Sequence, residues 1–99
     1  MAGAAQRSAG GGPVVIASEN GWRQADGASA VETAMARLRD AAALARPFAL
    51  LEAVVDGVAV VEDDPTDHSV GIGGLPNEDG VVQLDASCMY GPTHTCGAV

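Results

Sequence analysis

Three features of the sequence predict an α/β fold. A short β-branched run, Val14-Val-Ile-Ala17, suits a buried strand. The apolar residues Val31, Ala34, Met35, Leu38 and Ala42 recur at helical spacing. From Val81 to Met89 apolar and polar residues alternate, and a turn at Gly91-Pro92-Thr93 leads into a last short strand, which predicts a closing β-hairpin.

At 99 residues the chain holds at most one small domain, marginal for burying a core alone. Its 47% hydrophobic content argues against a disordered polymer. Ala, Val and Leu must build the core, because the aromatic residues are only Trp22, Phe48 and Tyr90. A net charge of −8 with five basic residues disfavours nucleic acid or an anionic membrane as partner, since phosphate surfaces demand clustered Lys and Arg. No apolar run approaches bilayer-spanning length. The N-terminal stretch shows no h-region of a secretory signal, and the compartment stays open. Two cysteines set no framework by number.

Residues 1–12 (MAGAAQRSAGGG) are small and aperiodic and read as a flexible leader ahead of a body over 13–99. Pro13 opens the first strand, and Ser18-Glu-Asn-Gly21 stops it with an Asn-Gly turn. Trp22 to Gly27 is polar and expected to be loop. Ser29-Ala-Val-Glu32 has the form of a capping box, so the helix is expected to start there. Arg37, Arg39 and Asp40 fall opposite its apolar stripe, and the helix should fade before Pro47.

Pro47 to Glu62 (PFALLEAVVDGVAVVE) supports two readings. Asp56-Gly57 between valine runs is a local hairpin signal. Leu51, Val54 or Val55, Val58 and Val61 or Glu62 also keep helical spacing, with Pro47 acceptable in a first turn. Further on, an acidic segment closed by Pro65 runs into Gly71-Ile-Gly-Gly74 and a turn at Asn77-Glu-Asp-Gly80. In the strand from Val81, one face carries Val82, Leu84, Ala86 and Cys88, and the other Gln83, Asp85, Ser87 and Met89. With Pro92 at the centre of the next turn, Cys88 would lie opposite Cys96, within disulfide reach; two buried thiols are the competing state.

Candidate chemistry concentrates after residue 60. Asp63, Asp64, Asp67 and His68 offer oxygen ligands for a divalent cation, but their spacing fits neither an EF-hand nor a zinc pattern, and a solvated helix end is the simpler reading. The glycines of Gly71-Ile-Gly-Gly74 do not form a phosphate cradle: position 76 is Pro where GxGxxG requires Gly, and no Lys-Ser/Thr follows. They are expected to permit close backbone approach and positive φ. His94 between Thr93 and Thr95 suggests nucleophilic catalysis only if one threonine is freed at a new N-terminus, so that its own α-amine serves as base.

The run Asp67-His-Ser-Val-Gly-x-Gly-Gly-x-Pro-x-x-x-Gly-x-x-x-Leu-Asp-Ala-x-x-Met89, followed by Gly97-Ala-Val99, resembles the early part of glycosylasparaginases. Those enzymes belong to the isoaspartyl peptidase/L-asparaginase family of N-terminal-nucleophile hydrolases. The likeness covers roughly residues 13–99 and is sharpest from Val61. It implies that Pro47–Glu62 is the family's second helix, nearly all apolar and lying between other elements. It implies an edge strand, two helices and a β-hairpin within a four-layer αββα sandwich that cleaves itself into two subunits and oligomerises. This chain would be the N-terminal fragment of the first subunit.

By the same resemblance the enzyme is an amidohydrolase with a threonine nucleophile, and this fragment is expected to be inactive alone. In the family that threonine follows His-Asp or His-Gly; Thr93 follows Gly-Pro and Thr95 precedes Cys96-Gly97, so no catalytic residue is expected here, nor a cofactor. Some relatives hold a monovalent cation with backbone carbonyls of the loop matching Val61, Glu62, Asp64, Asp67 and Ser69. The turn Ser18, Glu19, Asn20, Gly21 matches the substrate-pocket wall, where some members place a tryptophan; here Glu19 takes that place and Trp22 comes later. Two departures stand out: Gln24–Ala28 looks inserted, and Ala43–Phe48 replaces the Gly-Gly-Ser between the helices. The implied substrates are N-glycosylated asparagine, an isoaspartyl peptide or asparagine, and the implied partner is the threonine-bearing remainder of the enzyme. The Ser-Val-Gly-Ile-Gly-Gly wording leans to the glycosylasparaginase branch over the plant-type, isoaspartyl one. A small non-enzymatic binding module is the alternative from another class.

Overall fold

The computed structural model describes residues 3–7, 10–18 and 24–99. Its elements run β1 (Gly3–Arg7), β2 (Val14–Ser18), α1 (Gln24–Arg37), α2 (Ala41–Leu44), α3 (Ala49–Glu62), a 3-10 turn (Gly71–Gly73), β3 (Ser87–Tyr90), a second 3-10 turn (Gly91–Thr93) and β4 (Thr95–Ala98). This is an α/β arrangement whose strands form two separate antiparallel pairs, β1–β2 and β3–β4.

Gly3–Arg7, within the stretch without apolar periodicity, pairs with β2 from Gly3↔Ser18 to Arg7↔Val14. Ladder bonds are made by backbone groups, so a strand can form there without an alternating side-chain pattern. β2 is covered on one face only: Val15 is half-buried against the core, while Ile16 is 77% exposed. The expectation of a buried strand is therefore corrected to a half-covered one.

Helix α1 begins ahead of Ser29, so residues 24–27, expected as loop, are helical. Once a helix is nucleated each further residue adds one hydrogen bond, and the helix runs back past a Ser-x-x-Glu that could have capped it. Val31, Ala34 and Leu38 are buried as their spacing predicts. The helix then stops early. Leu38 N–H turns back to Met35 O at 3.0 Å, Asp40 is extended (φ −142°), and its Oδ1 accepts the Ala43 N–H at 2.7 Å. That cap starts the single-turn α2, so the expected continuous helix is two, and Ala42 is exposed. A capping Asp competes with the helix interior, which the apolar repeat alone does not reveal.

Pro47–Glu62 resolves as helix, not hairpin. Ala49, Ala53 and Gly57 form its buried stripe and face Ala30 and Ala34 of α1 and Leu38 just beyond its end. The Asp56-Gly57 pair has a packing reason instead of a turn reason. A Cβ on Gly57 would lie 2.9 Å from the Ala30 carbonyl oxygen and 3.3 Å from Ala34 Cβ. The glycine lets the two helix backbones approach closely, and Arg37 Nε pairs with Asp56 Oδ2 at 2.6 Å beside it. The core is thus a cluster of Ala34, Leu38, Ala49 and Ala53 with Val15 packed against it. The other faces of α3 are open: Leu50, Val54, Val55 and Val58 are each about half exposed.

The closing hairpin departs from expectation in length and register. Only Ser87–Tyr90 is strand, extended by the reciprocal Ala86–Val99 bonds; residues 81–85 make no ladder among the described residues. Alternation marks a side-chain pattern, whereas strand needs a paired neighbour. Met89, not Cys88, faces Cys96, and Cys88 faces Gly97. Four residues, Gly91–His94, separate the paired ends, with His94 left-handed at φ 52°. This shifts the register by one, and a one-residue shift places the two cysteines on opposite faces. Both are free, exposed thiols, so neither the facing pair nor the buried pair holds.

Candidate functional site

Chemistry-bearing side chains gather in the loop that leaves α3. Val61 and Glu62 are half-buried in its last turn, and Asp63 caps it, its N–H bonding to Ala59 O at 2.9 Å. Asp64 Oδ1 then accepts the Thr66 N–H at 2.8 Å and its hydroxyl at 2.7 Å. Asp67 repeats the motif, accepting the Ser69 N–H at 2.7 Å and the Ser69 hydroxyl. Carboxylates bend the chain this way by replacing water on backbone donors. Asp67 is buried, 8% exposed, the one buried acidic side chain among the described residues. The Ser69 hydroxyl and N–H hold its carboxyl below the usual carboxylate range, with smaller help from Val70 N–H and the His68 charge and against a desolvation cost. The His68 ring closes the loop: Nδ1 lies 2.8 Å from the Gly73 carbonyl, and since that oxygen can only accept, Nδ1 carries the proton.

The glycines allow the loop to fold onto the helix end. Gly71 has φ 64°, and a Cβ there would fall 2.0 Å from the Glu62 carbonyl oxygen. A Cβ on Gly73 would fall 2.1 Å from Asp67 O and 2.8 Å from Pro65 O. Both positions exclude any side chain, which is the close-approach role expected of them. Carbonyls of residues 62, 65 and 67 thus crowd the inner side of the 3-10 turn, while those of Val61 and Asp64 accept the N–H groups of Asp64 and Asp67 at 3.1 Å. Among the described residues no three His, Cys, Asp or Glu side chains are placed to hold a metal ion.

The loop residues Val61, Glu62, Asp64, Asp67 and Ser69 are therefore brought together in one bend. Ser18 is elsewhere, exposed at the end of β2 and paired with Gly3; Glu19, Asn20, Gly21 and Trp22 lie outside the described residues. Thr93 and Thr95 carry their hydroxyl oxygens 2.8 Å apart on the exposed hairpin.

Sequence reasoning missed a cleft of about 480 Å³ between α3 and the β3–β4 pair, lined by Val54, Val55 and Val58 on one side and Ala86, Cys88 and Val99 on the other. Its helix wall was legible in the all-round apolar character of Ala49–Glu62, and Ala86 and Cys88 in the alternation that puts them on one face. The part contributed by β4 was not, because which of its residues lie beside them depends on the turn conformation.

Comparison with known proteins bears on this loop and its flanks. The profile of the family described as Asparaginase matches residues 9–99. The chain is similar to an N(4)-(beta-N-acetylglucosaminyl)-L-asparaginase of Elizabethkingia miricola, 53% identical over 49 residues, covering 50% of this chain and 14% of that protein. It is similar to an isoaspartyl peptidase/L-asparaginase of Bos taurus, 47% identical over 49 residues, 50% of this chain and 16% of that one. A probable isoaspartyl peptidase/L-asparaginase 3 of Arabidopsis thaliana is 45% identical over 49 residues, again 50% of this chain and 14% of the relative. The matched part therefore spans 14–16% of the length of these relatives.

Proposed function

Because the chain belongs to the asparaginase family, we propose that it forms the opening part of a β-aspartyl amide hydrolase of the N4-(β-N-acetylglucosaminyl)-L-asparaginase kind. The observation that carries this is the family match over residues 9–99, which takes in the whole Asp67–Met89 motif. The complete enzyme would be a four-layer αββα sandwich built from this segment and a second, threonine-bearing subunit. There the threonine hydroxyl would attack the side-chain amide carbonyl while its own α-amine takes the proton. The amine or ammonia leaves, and water hydrolyses the β-aspartyl ester that remains.

Within that enzyme residues 13–99 contribute packing, and the Ser18-Glu19-Asn20-Gly21 turn contributes a pocket wall. The bend at Val61, Glu62, Asp64, Asp67 and Ser69 would hold a monovalent cation on backbone carbonyls, since oxygen is what a hard cation takes. The names of the bovine and Arabidopsis relatives support a second substrate reading, an isoaspartyl dipeptide or free asparagine.

The test is to read the coding sequence past Val99 for a His-Asp-Thr or His-Gly-Thr, express that longer chain, and offer it N-glycosylated asparagine, an isoaspartyl dipeptide and asparagine. Self-cleavage before the threonine and turnover of the glycosylated substrate are expected. The 99-residue chain should release no ammonia above buffer. A longer chain that lacks such a threonine, or activity in the short chain, overturns the proposal.

A further inference from the structure

The bend that leaves α3 is braced by its own side chains. Asp67 is buried, and its carboxylate accepts the N–H and hydroxyl of Ser69 and the N–H of Val70. Asp64 accepts the N–H and hydroxyl of Thr66 in the same way. These bonds fix the chain where it enters the 3-10 turn of Gly71–Gly73. His68 fixes the way out, its Nδ1–H reaching over five residues to the Gly73 carbonyl at 2.8 Å. The Gly74 N–H then closes on Gly71 O at 3.0 Å. Two consecutive residues, Asp67 and His68, thus grip the two ends of one turn.

Inside their grip is a hollow rimmed by oxygen. Carbonyls of Glu62, Pro65 and Asp67 border the space that a Cβ on Gly71 or Gly73 would fill. Such a donor set suits a hard cation. In an unbraced loop the cation would have to gather those carbonyls itself. Its apparent affinity would then fall with the fraction of time the loop spends closed. Side-chain bonds that close the loop beforehand remove that loss.

We infer that Asp67 and His68 are positioning residues that preform this bend, so that it keeps one shape with or without a bound cation. The cation half of this rests on the monovalent-cation reading proposed above; the shape of the bend does not. His68 is the member that can be exchanged without touching a buried carboxylate. It is exposed, so water competes for its bond, and losing one such bond shifts a local equilibrium about fivefold.

The isotope-labelled 99-residue chain tests this in buffers of equal ionic strength whose cation is tetramethylammonium, sodium or potassium. Amide exchange at Ser69, Val70 and Gly74 should be equally slow in each, and ring-nitrogen resonances should show the His68 proton on Nδ1. In tetramethylammonium, His68→Ala should speed exchange at Gly74 about fivefold while the α3 amides keep theirs. His68→Asn, whose side-chain N–H can take the place of Nδ1–H, should restore the native rate. The inference is overturned if the native bend is protected only once sodium or potassium is present, if the proton sits on Nε2, or if His68→Ala leaves Gly74 unchanged. It is equally overturned if His68→Asn loosens the turn as much as His68→Ala, or if α1 and α3 lose protection together with the bend. A bend that is protected in every buffer but shows no resonance shift on adding sodium or potassium supports the preformed shape and removes the cation reading alone.

Discussion

Gly57 and Asp67 show how single residues position whole segments here. Gly57→Ala adds helix propensity of about 1 kcal/mol. Its new Cβ, however, would meet the Ala30 carbonyl at 2.9 Å, and backbone cannot yield as a flexible side chain does. Overpacking of this sort costs about 1–3 kcal/mol, so we expect a net loss, seen as a lower thermal midpoint. An equal or higher midpoint would mean that the helices are not in close approach at this point. For Asp67 the sign follows from its depressed titration. A carboxyl that titrates lower in the fold than in the unfolded chain stabilises the fold fully above the unfolded value, about 3.9, and loses that contribution as pH falls through the folded value. Asp67→Asn should remove this acid-side dependence and loosen the Ser69 turn, read as faster amide exchange at Ser69 and Val70. The glycine roles at 71 and 73 were legible from the sequence because a Gly-x-Gly-Gly run lacking the other phosphate-loop residues has few other uses. The Asx turns were not singled out, since Asp64 and Asp67 look the same on paper whether they face water or their own backbone.

At the scale of elements, periodicity located α1 and its buried residues, and the resemblance decided α3 where local propensity was divided. What eluded reading were features set by competition or by pairing. Asp40 split one predicted helix in two, a backbone-paired strand arose at Gly3–Arg7 without alternation, and the hairpin slipped by one residue because its connection holds four residues rather than a Pro-centred turn. The α1–α3 contact carries the core, so Leu38→Ala should cost about 2–5 kcal/mol. Urea unfolding followed by helical signal would show this as a lower midpoint with an unchanged slope.

The whole chain is small in core and large in apolar surface. Its radius of gyration is 14.8 Å, against about 13 Å for a compact domain of this length. No large side chain is fully buried among the described residues, while Leu50, Val54, Val55, Val58, Ile72 and Leu75 lie open. Exposed apolar surface on this scale favours association. We expect the isolated chain to self-associate with rising concentration, and a Val54→Glu/Val58→Glu variant to sediment as a smaller species; identical sedimentation would place the sticky surface elsewhere. The cleft was legible only in part: the all-round apolar character of Ala49–Glu62 marks its helix wall, while the residues that β4 contributes to the other wall depend on backbone pairing. The hairpin register carries a consequence at this scale. With Cys88 turned toward the helix and Cys96 away from it, the two sulfurs cannot meet inside one ladder. Oxidation of this chain should therefore stitch one molecule to its neighbour, and reductant should undo those links without altering the fold of either.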